Sequence, residues 1–114
     1  MNQEYDLVII GAGSAGLTAA GFGVQLGSRV VLVERKRVGG DCTWSGCVPS
    51  KTLLKTAKVV HQMRTANRYG LKAYDPRVDL AAVMDHVREV IAGIYEEESP
   101  EALRADGIDV LLGT

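Results

Sequence analysis

Leu7-Val8-Ile9-Ile10-Gly11-Ala12-Gly13-Ser14-Ala15-Gly16 is the stretch that decides how this chain folds. Its first four residues are an apolar, mostly β-branched run, as in a strand buried on both faces. Three glycines follow in the spacing G-x-G-x-x-G. Leu17 to Leu26 is small and apolar and stops at Gly27, which reads as a helix with a glycine C-cap. Arg29 to Glu34 is a second strand, centred on Val30-Val31-Leu32-Val33. Strand, glycine turn, helix and strand in this order make a βαβ unit, so the two strands are parallel.

The glycine pattern alone is weak. Here it follows a strand, opens a helix, and is followed 18 residues after Gly16 by Glu34 at the end of the second strand. That context makes it a dinucleotide-binding signal. Gly11 permits the tight turn, Gly13 lets the backbone approach a pyrophosphate, and Gly16 lets helix and strand pack closely. The helix N-terminus supplies N–H groups for the phosphates. Glu34 can take the ribose hydroxyls of the adenosine half, and it would repel a 2′-phosphate, which disfavours NADP at this site. Arg35-Lys36-Arg37 reads as a solvated basic loop. The plainer alternative is that the glycines serve only the turn and the packing.

The second informative stretch runs Gly39-Gly40-Asp41-Cys42-Thr43-Trp44-Ser45-Gly46-Cys47-Val48-Pro49-Ser50-Lys51 and holds both cysteines. As a staple, a Cys42–Cys47 bridge would close a loop worth only about 2 kcal/mol. In a regular helix, residues five apart lie roughly 8 Å apart at the α-carbon, beyond the limit of about 7 Å for a bridge. The backbone must therefore depart from a helix here. Gly46 allows that, and Pro49 is at ease only in a first helical turn. The reading is an irregular turn leading into a helix that is regular from about Val48. Cys47 then lies beside a helix N-terminus, which favours a thiolate, and Lys51 adds positive charge a turn later. A metal site would need about four ligands; two cysteines and two distant histidines are a poor set, and no metal is expected. A redox disulfide ranks above a staple, and a staple above a metal site.

The rest of the chain is helical until its last strand. Leu53, Leu54, Ala57, Val60 and Met63 continue the helix to about Ala66. After a loop, Leu80, Val83, Met84, Val87, Val90 and Ile91 recur at helical spacing behind Asp79, a plausible N-cap. The two helices should lie antiparallel, with their apolar stripes as packing surfaces. His61 and His86 read as surface histidines, and Glu96-Glu97-Glu98 as a solvated helix end. Ser99-Pro100 can cap a short helix to about Ala105, and Ile108 to Leu112 is a third strand. The fold class expected is α/β, with a parallel sheet.

Composition bounds the partners. The 114 residues carry a net charge of −1, with 46% apolar and 24% charged residues, as in an ordinary soluble domain. Nothing in that balance points to nucleic acid or to a membrane surface. The N-terminus lacks a basic n-region and the apolar runs are short, so the cytoplasm is the expected compartment. A cytoplasmic disulfide is more often catalytic than structural. With no repeat, linker or composition shift, residues 1–114 read as one domain.

These residues resemble a known family. Gly11 to Gly16 with Glu34, then Gly39 to Cys42 and Gly46 to Lys51, are similar to the class I pyridine nucleotide–disulfide oxidoreductases, among them dihydrolipoamide dehydrogenase, glutathione reductase, trypanothione reductase and mercuric reductase. The resemblance covers the chain but only the first part of the FAD domain of such enzymes. Gly-Ala-Gly-Ser-Ala-Gly and the Cys-Val-Pro-Ser-Lys ending lean toward mercuric reductase. The resemblance implies a Rossmann-like FAD-binding fold, incomplete here, and a first nucleotide that is FAD. Gly11, Gly13, Ser14, Ala15 and Gly16 would face its pyrophosphate, Glu34 its adenosine ribose, and Arg35 and Lys36 would flank that ribose. Gly40, Asp41 and Cys42 would line the flavin's path. Cys47 would be the sulfur against the flavin, Cys42 the outer thiol that attacks substrate, and Lys51 would sit near the flavin ring. NAD(P)H would be the electron donor, a small-molecule disulfide or mercuric ion the substrate, and a homodimer the working form. The NAD(P)H domain and the dimer-forming domain with its catalytic histidine would lie outside these residues.

Two positions depart from the family pattern, which commonly has Thr before the first cysteine and Asn two residues after it. Here they are Asp41 and Trp44. Asp41 places negative charge near the phosphates; Trp44 either narrows access to the outer thiol or packs. Two other readings stand beside the oxidoreductase. One is a stand-alone, non-catalytic nucleotide-binding or thiol module. The other is an NAD-binding dehydrogenase with incidental cysteines.

Overall fold

The structure, a computed structural model, describes residues 3–114. Three parallel strands, β1 (Leu7–Ile10), β2 (Val30–Glu34) and β3 (Ile108–Leu112), form a sheet in the order β1-β2-β3. Five α-helices connect them: α1 (Ser14–Gln25), α2 (Gly40–Trp44), α3 (Cys47–Arg64), α4 (Leu80–Glu98) and α5 (Pro100–Ala105). A single 3₁₀ turn over Ala66–Tyr69 follows α3. The α/β class, the parallel sheet and all three strands are as the sequence implies.

Register explains which side chains make the core. Leu7, Val30 and Ile108 stand abreast across the sheet, as do Ile9, Leu32 and Val110. These rows face one side, where Ala20 of α1 and Leu103 of α5 close the cluster. The alternate residues face the other side. That side is open over β1, where Val8 is 57% and Ile10 88% exposed, but closed over Val31 of β2, which is 2% exposed. This corrects the expectation that β1 is buried on both faces. An apolar run does not say how many layers cover it.

The helix ends obey local chemistry. Asp79 caps α4 by accepting the N–H groups of Ala81 and Ala82, and Ser99 caps α5 through Ala102, with Pro100 in its first turn. The C-terminal half of α3 meets the start of α4, where Val60 and Met63 share a hollow with Val78 and Val83. The other end of α4 meets α2, just before α3 begins. The pair is therefore antiparallel. Val87 is buried in it, but Leu53, Leu54 and Leu80 stay exposed, so those positions of the apolar stripes are not packed. Two helices touching along one seam cannot cover an apolar arc wider than the seam.

Gly16 fixes how near α1 lies to β1. A β-carbon there would stand 1.9 Å from the Gly11 carbonyl oxygen and 3.4 Å from Ile9. Gly21, in the same helix, has nothing within 4 Å of that position. Alanine gains up to about 1 kcal/mol over glycine in a helix interior, while overpacking typically costs about 1–3 kcal/mol, and more where backbone itself must shift. We expect Gly16→Ala to lower the denaturant midpoint sharply and Gly21→Ala to raise it slightly; equal shifts in urea melts would contradict this account.

Candidate active site

The carboxyl ends of the three strands converge on one cavity of about 880 Å³, within the usual ~300–1,000 Å³ of ligand pockets. Its floor is the glycine loop, with Gly11 and Gly13. Gly11 has φ +103°, a left-handed conformation that suits glycine. A β-carbon at Gly13 would point into open space, so the loop's bare backbone can be approached from the cavity. Val8 and Ile10 supply an apolar wall, which gives the open face of β1 a role.

Glu34 ties the loop to β2. Its Oε2 accepts the Ala12 N–H at 2.8 Å and its Oε1 the Lys36 N–H at 2.8 Å. These two backbone donors, helped by Arg35, hold its carboxyl below the ordinary carboxylate range against the opposing effect of partial burial. A carboxylate has about four acceptor positions, so two remain for hydroxyls in the cavity that it lines. Arg35 and Lys36 also line the cavity. So does Arg37, which is not merely solvated: its guanidinium lies 4.0 Å from the centre of the Trp44 ring.

The short helix α2 closes the opposite side. Gly39 donates its N–H to the Ala12 carbonyl at 2.8 Å, and a β-carbon at Gly40 would meet the Gly13 α-carbon at 2.9 Å. Gly40 and Asp41 face the cavity. Trp44 packs rather than standing free beside a thiol. Its indole N–H donates to the Val38 carbonyl at 2.8 Å and its ring lies 5.0 Å from that of Tyr95.

Cys42, in α2, and Cys47, the first residue of α3, form a disulfide across α-carbons 4.6 Å apart. The helix is interrupted at Ser45 and Gly46 to allow it. A β-carbon at Gly46 would stand 2.9 Å from the Asp41 carbonyl oxygen, so glycine there lets the two helices meet. The stretch read as an irregular turn thus contains a helical turn, α2, and α3 starts at Cys47. Cys47 is exposed and Cys42 half-buried. Lys51, one turn into α3, is also exposed.

The expected site residues therefore fall into groups. Gly11, Gly13, Glu34, Arg35, Lys36, Gly40 and Asp41 share the cavity wall. Ser14 and Ala15 open α1 beside it, and Gly16 is covered by the Gly11 carbonyl. Cys42, Cys47 and Lys51 lie beyond that wall, joined to it through α2. Glu98, expected with Glu96 and Glu97 to be a solvated helix end, is half-buried instead, and its Oε2 accepts the Thr43 hydroxyl at 2.7 Å. No local pattern signals a pairing 55 residues apart.

The profile described as "Pyridine nucleotide-disulphide oxidoreductase" matches residues 5–114. The chain belongs to this family. It is 37% identical over 113 residues to a dihydrolipoyl dehydrogenase of Zymomonas mobilis, covering 99% of this chain and 24% of that protein. A dihydrolipoyl dehydrogenase of Thermus scotoductus is 40% identical, covering 90% and 23%. A mercuric reductase of Lysinibacillus sphaericus is 32% identical, covering 97% and 20%. The chain thus spans about a quarter or less of the length of these relatives. Among the described residues no helix is long and apolar enough to cross a membrane.

Replacing Glu34 by Gln would turn an amide N–H₂ toward one of two backbone donors. The charge-assisted bonds lost suggest about 2 kcal/mol of destabilisation at neutral pH. The folded carboxyl titrates below its unfolded value. Its contribution is therefore complete above the unfolded pKa and disappears as pH falls through the folded one. We expect the gap in thermal midpoint between wild type and Glu34→Gln to be full at pH 7 and to narrow below about pH 4. A gap that widens in acid would refute the assignment.

Proposed function

We propose that residues 1–114 form the N-terminal part of the FAD-binding domain of a longer oxidoreductase. That enzyme draws electrons from NAD(P)H and delivers them through Cys42–Cys47 to a small-molecule disulfide or to mercuric ion. The observation that carries this reading is one of connection. The disulfide is held by α2, and α2 itself begins against the glycine loop of the nucleotide cavity. A staple would not need that attachment. The lengths of the relatives support the longer chain; a homodimer as its working form and the cytoplasm as its place complete the proposal.

The residues fit FAD. Gly11 and Gly13 present bare backbone to a pyrophosphate, and Ser14, Ala15 and Gly16 contribute the start of α1. Glu34 takes the adenosine ribose, flanked by Arg35 and Lys36. Gly40, Asp41 and Cys42 line the way toward the flavin. When bound, FAD supplies two-electron exchange between nicotinamide and disulfide. Cys47 begins an 18-residue helix, where the dipole and free N–H groups favour its thiolate. That supports Cys47 as the sulfur on the flavin side. Lys51 adds a cation that stabilises negative charge nearby.

Cys42 is then the outer thiol. In the reduced pair its thiolate attacks one sulfur of a substrate disulfide and releases the first thiol. Cys47 next attacks Cys42 in the mixed disulfide, re-forming the internal bond and releasing the second thiol. Two electrons and two protons pass to the substrate. Two soft thiolates at this spacing also suit mercuric ion.

The full-length protein should purify yellow and develop a long-wavelength thiolate–flavin band on two-electron reduction. Cys47→Ser should abolish that band with flavin still bound, whereas Cys42→Ser, with no bridge to open, should show it before any reductant is added. A band surviving in Cys47→Ser reverses the sulfur assignment, and a colourless wild type overturns the function. Turnover with dihydrolipoamide and NAD⁺, compared with mercuric ion and NAD(P)H, then selects the substrate.

A further inference from the structure

We infer that the last turn of α4 positions the redox disulfide, with Glu98 as the positioning residue acting through Thr43. This rests on the reading of Cys42–Cys47 as the electron-carrying pair.

The helix α2 has five residues, too few to hold together by their own hydrogen bonds. It carries Cys42 and depends on outside attachments. Its first residue rests on the glycine loop, and the disulfide ties it to α3. Among the described residues, two further long-range attachments come from α4. The Tyr95 ring packs at 5.0 Å from that of Trp44, and Glu98 accepts the Thr43 hydroxyl at 2.7 Å. Tyr95 and Glu98 are three residues apart, hence on one face of α4. Thr43 is only 3% exposed and Glu98 is half-buried, so the hydroxyl end of this bond has little access to water.

The choice of residue is informative. A carboxylate in the last turn faces the negative end of the helix dipole, and Glu96 and Glu97 add like charge. The partner of Glu98 is a neutral hydroxyl, and among the described residues no ion pair includes it. Stability alone does not favour an acid at such a place. A carboxylate accepts and never donates, so the direction of the bond is fixed and Thr43 must donate. When the bridge opens, the covalent tie between α2 and α3 is gone. The Glu98–Thr43 bond and the Trp44–Tyr95 contact then keep Cys42 near Cys47. They set the effective concentration of one thiol at the other, and with it the ease of closing the bridge again.

The test uses the full-length oxidised protein in glutathione buffers without NAD(P)H, with thiols trapped by alkylation and the bridged fraction read by mass. The equilibrium consumes two glutathiones, gives the Cys42 and Cys47 dithiol, and forms one glutathione disulfide. Glu98→Ala and Thr43→Val should each make the bridge about tenfold easier to reduce, about 30 mV for a two-electron couple. Glu98→Gln, whose amide oxygen still accepts, should stay within about twofold of wild type. The double variant Glu98→Ala/Thr43→Val should move no further than either single change. Unchanged equilibria in both single variants overturn the inference. So does an additive double variant, because Glu98 would then not be acting through Thr43. Glu98→Gln and Thr43→Val are near-isosteric, so the comparison stands even if Glu98→Ala does not fold. No flavin signal enters this measurement, so it can fail while the charge-transfer test succeeds, and the reverse.

Discussion

The approach of α1 to β1 at Gly16 is the constraint on which the rest of the structure depends. With no side chain there, the helix start lies against the Gly11 carbonyl, and the loop between them becomes a shallow bare-backbone cradle. Glu34 reaches that cradle from the neighbouring strand and is satisfied by the Ala12 N–H. Gly39 and Gly40 reach it from the far side. A side chain at Gly16 would push the loop outward and disturb all three contacts together. The cavity and the placement of α2 are thus consequences of one close packing contact, not separate devices.

From the cradle the geometry passes to the sulfurs in one short step. Between Gly40, which touches Gly13, and Cys42 lies a single residue. Five residues of helix then join the glycine loop, a disulfide and the end of a long helix. Such a segment has little stability of its own, so its position is dictated by what it touches. The same segment explains Trp44. An aromatic side chain in place of the family's usual Asn is held by Val38, Tyr95 and Arg37. It fills the space between cavity wall and α4 rather than hanging over a thiol.

The sheet shows two kinds of apolar surface. One face packs against α1 and α5 and excludes water. The other presents Val8 and Ile10 to the cavity. Apolar wall and polar floor together give a mixed lining, with bare backbone, a carboxylate and hydrocarbon side by side, which is the chemistry the proposed dinucleotide would need.

Much of this was legible in the chain itself, because its signals are local. The alternation of β-branched runs, glycines at fixed offsets, and caps such as Asp79 and Ser99 act over a few residues. They set the three strands and the long helices to within about three residues. The spacing of Cys42 and Cys47 demanded a broken helix, and Ser45 and Gly46 break it. What the amino-acid order could not state was how many layers cover β1, that Arg37 rests on Trp44, or that Glu98 grips Thr43. Each depends on segments distant in sequence arriving side by side. Local pattern determined the elements and the chemistry of the loop and the sulfurs; tertiary packing alone decided which of those groups meet, because contact across 55 residues leaves no periodicity to read.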